Sequence, residues 1–189
     1  MNETVWDGKI PIIETPRLLL RELSQKDTDD VFEYASIPEV TNYLVWYPHQ
    51  FIQDSIDFIN FAKDQFVKNI SIIWGIEFKE ELKLIGTIDL RNTQLINNCG
   101  EIGYVISNKY WNKGIMTEAL KSVIMFGFND MKLNRIEAHC ESENIGSSRV
   151  MEKAGMQFEG LLREKIYIKN KYRSMKMYSI LKSEYIDQS

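Results

Sequence analysis

Asn112, Lys113, Gly114, Ile115, Met116 and Thr117 stand where an extended run gives way to a helical one. Backbone N–H groups at such a junction have no intrahelical partners and lie at the positive end of the helix dipole, so together they can hold a phosphate. Gly114 allows a close backbone approach that a side chain would obstruct. Neither GxGxxG nor GxxxxGK[ST] occurs, which separates this turn from the dinucleotide-binding and P-loop signatures. Taken alone, one glycine in a loop fits ordinary turn chemistry better than phosphate binding.

Other reactive side chains are sparse. His49 and His139 are the only histidines, and Cys99 and Cys140 the only cysteines, with no repeated close spacing. This argues against a zinc ribbon, a redox CxxC pair, a disulfide scaffold or a histidine-rich centre, and no metal is expected. No adjacent His/Asp arrangement marks Cys99 as a covalent nucleophile, so both thiols read as packing residues. Asn144 opens an Asn-x-x-Ser string ending at Ser147, whose plain reading is a helix cap. Trp46 and Tyr47 could cover the aliphatic part of an amine or meet its charge through their rings, and anchoring of a loop to the core explains them equally.

With 189 residues, 44% of them hydrophobic and 26% charged, the chain can bury one substantial core, and a single domain over residues 1–189 is expected. The net charge of −4 argues against a general nucleic-acid coat. Charge is uneven: residues 1–100 hold nine Lys/Arg against sixteen Asp/Glu, residues 101–189 fourteen against eleven. An acidic half suits a cationic partner and a basic half an anionic one, although solvated faces give the same pattern. Residues 1–9 lack the apolar block of a secretory signal, and no run approaches the roughly twenty apolar residues that span a bilayer, so a cytoplasmic protein without membrane contact is expected.

The elements that must position these groups follow from periodicity. Residues 17–23 read as a strand after Pro16, followed by a short helix ending near Pro38 and a stronger one over 53–68. Residues 70–78, 82–90 and 101–107 form a three-strand meander, and 115–130 a helix with a long apolar face. A strand over 134–140, a helix over 147–153 ended by Gly155, and closing strands over 158–168 and 175–181 complete the order.

On these residues the chain resembles the Gcn5-related N-acetyltransferase (GNAT) superfamily, in the branch of ribosomal-protein N-terminal acetyltransferases. The resemblance runs from the ETPRL string at 14–18 to YSIL at 178–181. It is strongest in GEIGY at 100–104 with YWNKGIMTEA at 110–119, and continues through LNRIE at 133–137, ENIGSSRVMEKAGM at 143–156 and EGLLRE at 159–164. It implies an α/β (α+β) class with the acyl-CoA N-acyltransferase fold, a central mixed, mostly antiparallel sheet flanked by helices. It also implies acetyl-CoA as cosubstrate, its pyrophosphate on the backbone of residues 112–117. The family's RxxGxG or QxxGxG has Trp111 at its opening position here, removing a charged contact, and Met116 where a small residue is usual, which is expected to crowd the loop. Backbone donation survives both changes.

Further roles follow from the same resemblance. Residues 101–105 resemble the strand that carries a bulge beside the thioester, with Val105 or Ile106 as the backbone donor to the acetyl carbonyl. Asn144 resembles the contact to the pantetheine arm, and Ser147 the hydroxyl near the departing sulfur, with Ser148 not separable from it. Many relatives place an acidic tyrosine at the position of Met151, which cannot transfer a proton, and Ser174 stands where close relatives have an aspartate. The attacking amine must lose a proton, and Glu101 is the first choice as acceptor, ahead of Glu118, Glu137 and Glu141. The expected activity is direct acetyl transfer from acetyl-CoA to a primary amine, most specifically a protein amino terminus. The alternatives are a small-molecule amine or a non-catalytic acyl-CoA-binding protein, and a homodimer is the family analogy.

Overall fold

The computed structural model describes residues 8–186, with the side chains of 92–95 and 186 outside the description, as is most of the amino-terminal stretch read above for a signal. Eight strands form one sheet: β1 (Ile13–Glu14), β2 (Leu18–Glu22), β3 (Ser71–Phe78), β4 (Lys83–Gln94), β5 (Cys99–Ile106), β6 (Arg135–Glu141), β7 (Gln157–Ile168) and β8 (Lys171–Leu181). Their order is β1-β2-β3-β4-β5-β6-β8-β7, and every pair is antiparallel except β5 with β6. This is the expected mixed, mostly antiparallel sheet. The three-strand meander lies at its centre, and Ile72, Ile73, Trp74 and Ile76 are all buried because β3 is covered on both faces. The closing hairpin turns on Lys169 and Asn170, at φ +50° and +62°, the pair of left-handed residues that a two-residue hairpin loop demands.

The helices are α1 (Thr28–Ala35), α2 (Pro38–Thr41), α3 (Ile52–Val67), α4 (Ile115–Asn129), α5 (Ile145–Lys153) and α6 (Lys182–Ile186). The first helix ends at Ala35, short of Pro38, and Pro38 opens a further helix that periodicity did not indicate: it occupies the first turn of α2, where its missing N–H costs nothing. Helix α3 buries Ser55, Ile59 and Ala62, one helical stripe, while Asp54 accepts hydrogen bonds from the amides of Gln50 and Phe51 at its start. Helix α4 is apolar nearly all round, and a Cβ at Gly127 would lie 2.8 Å from Ile136 Cδ1, so glycine lets helix and sheet approach closely. Two cores result. One joins α4, Met151 and Met156 to residues such as Leu20, Ile88, Ile102 and Ile136; the other joins Val31, Tyr34, Ile59 and Ala62 to Ile73 and Leu84 across the sheet. Among the described residues no helix is long and apolar enough to cross a membrane.

The feature that matters most for chemistry is a split. Parallel pairing between β5 and β6 runs from Cys99–Arg135 to Ile102–Ala138 and stops, although β5 continues to Ile106 and β6 to Glu141. Beyond the split β5 has β4 on one side, and β6 has β8 on the other. The two strands therefore open a wedge whose walls carry backbone groups freed from the ladder.

Candidate active site

The loop before α4 has the geometry of an anion cradle. Gly114 caps the helix in the left-handed conformation at φ +71°, and Asn112 is left-handed at φ +61°. Such alternation gathers successive N–H groups on one side, and no side chain caps this helix end. Residues 111–114 are exposed, whereas Ile115 and Met116 are buried. Met116 therefore anchors the helix in the core, and the expected crowding of the loop does not arise. Trp111 braces the loop by donating from Nε1 to Ile106 O at 3.0 Å. A clamp that the sequence reading missed fixes the other side. Arg17 donates to Lys113 O at 3.0 Å and pairs with Glu118 at 2.6 Å, while Thr15 Oγ1 also donates to Glu118 at 2.6 Å. This occupies Glu118 structurally, across a sequence separation that no local pattern reveals.

On β5 the register with β4 is continuous from Gly100 to Ile106, and the irregularity falls on β4 between Asn92 and Gln94. The bulge expected over residues 101–105 is thus absent from that ladder, and the split takes its place as the source of free amides. Ser107 N donates to Ile85 O, and Ile106 O accepts from Trp111. Alternation along the strand then turns Val105 back toward β4 and faces Ile106 and Tyr104 into the wedge.

Across the wedge, Asn144 caps α5, its Oδ1 accepting from Ser147 N at 3.0 Å. The two serines separate cleanly. Ser148 is buried, donating to Asn144 O at 3.3 Å and lying 3.3 Å from Cys140 Sγ. Ser147 is half-buried, with Oγ 2.8 Å from the Tyr104 hydroxyl, which also reaches Ser147 O at 3.1 Å. Burial pushes the Tyr104 phenol above its ordinary pKa, so it is neutral. Met151, at the family's tyrosine position, is wholly buried in the core. Burial also raises the Cys140 thiol, consistent with a packing role.

The opposite face of the same strands is charged. Glu101 Oε1 lies 3.6 Å from His139 Nδ1 and 3.5 Å from Arg91 Nη2. His139 and then Arg91 hold its carboxyl below the usual range, against burial. Asp89 pairs with Arg91 at 2.9 Å and lies over Gly103, where a Cβ would meet Asp89 Oδ1 at 2.7 Å. Burial, reinforced by the like charge of Glu101 and opposed by Arg91, pushes Asp89 up to about 6. Sequence reading missed Asp89; the signal was a lone carboxylate in the apolar run 84–90. Glu137 is paired with Arg135 and Glu141 with Arg173, both at 2.6 Å.

A rim surrounds this face. Trp46 is half-buried against the second core with its ring 5.3 Å from His49, and His49 Nδ1 is 2.8 Å from Ser55 Oγ. Burial lowers the His49 pKa, and both residues secure the loop. Tyr47 is exposed, and Lys169 from the β7–β8 turn reaches over it, 5.5 Å from the ring centre, to donate to Thr41 O at 2.6 Å. Val45, Phe51, Tyr167 and Tyr172 add exposed apolar surface in these same two segments. Ser174, in the aspartate position, accepts from Glu164 N at 3.1 Å and secures an irregular stretch of β7.

The acetyltransferase (GNAT) domain family matches residues 17–157. The uncharacterized N-acetyltransferase p20 of Bacillus licheniformis is 35% identical over 90% of this chain and 96% of its own. A GNAT-family acetyltransferase structure from Bacillus anthracis is 33% identical, covering 92% of this chain and 99% of that one with a TM-score of 0.82. More distant relatives differ in acceptor. The ribosomal-protein-serine acetyltransferase of Escherichia coli is 28% identical over 54% of this chain and 56% of its own, and the spermidine N(1)-acetyltransferase of Vibrio cholerae 27% over 56% and 61%.

Proposed function

The chain belongs to the GNAT acetyltransferase family and is an acetyl-CoA-dependent N-acetyltransferase, and from that premise we propose that its acceptor is the primary amine at a protein amino terminus. The observation that carries the choice is the setting of Glu101. His139 Nδ1 at 3.6 Å and Arg91 Nη2 at 3.5 Å favour its charged form and hold its carboxyl below the usual range, so it takes up a proton less readily than a free carboxylate. An amino terminus with a pKa near 8 is partly neutral at pH 7 and yields its proton to such a base far more readily than an alkyl amine near 10.4. The exposed apolar side chains of the rim also suit a polypeptide following the amine.

In this reading the amides of residues 112–117 hold the pyrophosphate, and Asn144 orients the pantetheine arm. The thioester enters the wedge, where the amides facing it from Ile106 and Tyr104 receive the carbonyl oxygen as negative charge develops. Glu101, directly or through water, takes a proton from the ammonium. The nitrogen lone pair attacks the carbonyl carbon, the tetrahedral intermediate collapses, the C–S bond breaks with its electrons on sulfur, and Ser147 stabilises the leaving thiolate. Of the two protons still on nitrogen, one passes to the thiolate and the other stays as the N–H of the amide product. No acetyl-enzyme is formed.

A small cationic amine is the second reading, supported by the paired carboxylates Asp89 and Glu101 beside the wedge. Purified protein with acetyl-CoA and a panel of free-amino-terminus peptides, polyamines and amino-acid derivatives decides between them, reading CoA release and product mass. Peptide-dependent turnover supports the first reading; turnover with polyamines alone selects the second.

A further inference from the structure

Tyr104 has no part in the activity described so far beyond its backbone, yet its side chain crosses from β5 to the first turn of α5. Its hydroxyl meets Ser147 twice, at Oγ (2.8 Å) and at the carbonyl oxygen (3.1 Å). A phenol has one proton to donate, so the two contacts define two arrangements. If it donates to Ser147 O, the serine proton is drawn onto the phenolic oxygen and away from the wedge. If it donates to Ser147 Oγ, the serine proton is free to point at a neighbouring atom, and the chain of donors strengthens that bond. Burial keeps the phenol neutral, so it orients Ser147 and gives up no proton of its own.

We propose that Tyr104 is a positioning residue for the leaving group: through its hydroxyl it turns the Ser147 O–H toward the departing CoA sulfur, supplying from β5 the phenol absent at Met151. The inference rests on the placement of Ser147 beside that sulfur. No net proton leaves Tyr104 in the cycle; the thiolate is neutralised by the nitrogen proton lost on collapse.

The test compares Tyr104→Phe, Ser147→Ala and the double variant in single-turnover transfer to the amine that the panel acetylates, using acetyl-CoA and 4-nitrophenyl acetate as donors. Phenylalanine keeps the ring that packs against the core, and acetyl-CoA affinity and thermal unfolding serve as controls. Tyr104→Phe is expected to slow transfer from acetyl-CoA about 10-fold, to leave the activated ester within about 2-fold, and to add little to Ser147→Ala, because both act on one bond. A purely structural role would slow both donors equally or shift only the unfolding temperature, and either result overturns the proposal. A donor-selective defect in Ser147→Ala without one in Tyr104→Phe refutes the tyrosine alone. No donor-selective defect in either variant refutes the placement of Ser147, and the inference with it.

Discussion

Two regions meet at the split between β5 and β6, and they are built from different parts of the chain. On the side of α4 the proposed work falls to backbone: a left-handed Gly114, the uncapped first turn of α4, and amides of β5 released by the split. On the side of α1 to α3 it falls to side chains, Glu101 and Asp89 with Arg91 and His139, which come together across three strands. A backbone site tolerates side-chain change, which is why Trp111 and Met116 can depart from the family pattern without dismantling the loop. A side-chain site does not, since each carboxylate's charge state depends on its neighbours.

The largest effect expected from this contrast is chemical. Glu101→Gln should lower the single-turnover rate about 10²-fold or more, with partial recovery at high pH for an amine that deprotonates in solution, while acetyl-CoA affinity stays at the wild-type value. An unchanged chemical step removes Glu101 from the base role.

Gly114→Asp should do the reverse, weakening acetyl-CoA binding by roughly 1–3 kcal/mol, more at low salt, as titration calorimetry would show. The fold should survive it. A Cβ there has only Arg17 Nη2 within 4 Å, at 3.8 Å, so the substitution acts through charge and the positive φ rather than a clash. Normal affinity in the folded variant would move the cradle elsewhere.

Asp89 separates stability from function. Its folded pKa, about 6, lies above the ordinary 3.8, so the folded state holds the proton more tightly, and stability declines as pH rises from near 4 to near 6. Asp89→Asn removes that loss, and should therefore stabilise the protein by roughly 1–3 kcal/mol at pH 7 with the gain fading below pH 4. Denaturant unfolding at both pH values checks this; a gain independent of pH contradicts it.

Lys169→Ala should have the smallest effect. Releasing the hairpin turn from Thr41 O and Tyr47 is expected to raise the acceptor KM about 2- to 5-fold with little change in kcat, since a partly exposed contact contributes on the order of 0.5–1 kcal/mol. Steady-state kinetics with a peptide acceptor would show it, and an unchanged KM would place the acceptor away from this rim.

The contrast between the regions also explains what sequence could disclose. Apolar runs and helical spacing located the meander, α3 and α4, because α3 buries one stripe while β3 and α4 are buried over most of their length, and the Gly114 turn was legible because it depends on one chain segment. Local spacing ended the first helix near Pro38 and left α2 unread, since a proline that closes one helical pattern can also occupy the first turn of the next helix. The clamp of Arg17 on Glu118, the Tyr104–Ser147 contact and the seating of Asp89 over Gly103 join residues distant in sequence or on adjacent strands, and only register brings them together. Ser147 and Ser148 are both plausible hydroxyls on paper; helix geometry turns one toward the wedge and the other into the core. The expected strand bulge failed for a related reason, because strand divergence frees amides as effectively as an inserted residue does.

The acceptor assignment is tested most directly by one experiment: incubation with acetyl-CoA carrying a ¹³C-labelled acetyl group and a peptide bearing both a free α-amine and a lysine, at pH 7, followed by mass mapping of the label. The weak base at Glu101 predicts label on the α-amine, with one CoA released per acetyl group transferred. Label on the lysine, or transfer to polyamines in the absence of any transfer to the peptide, would contradict it.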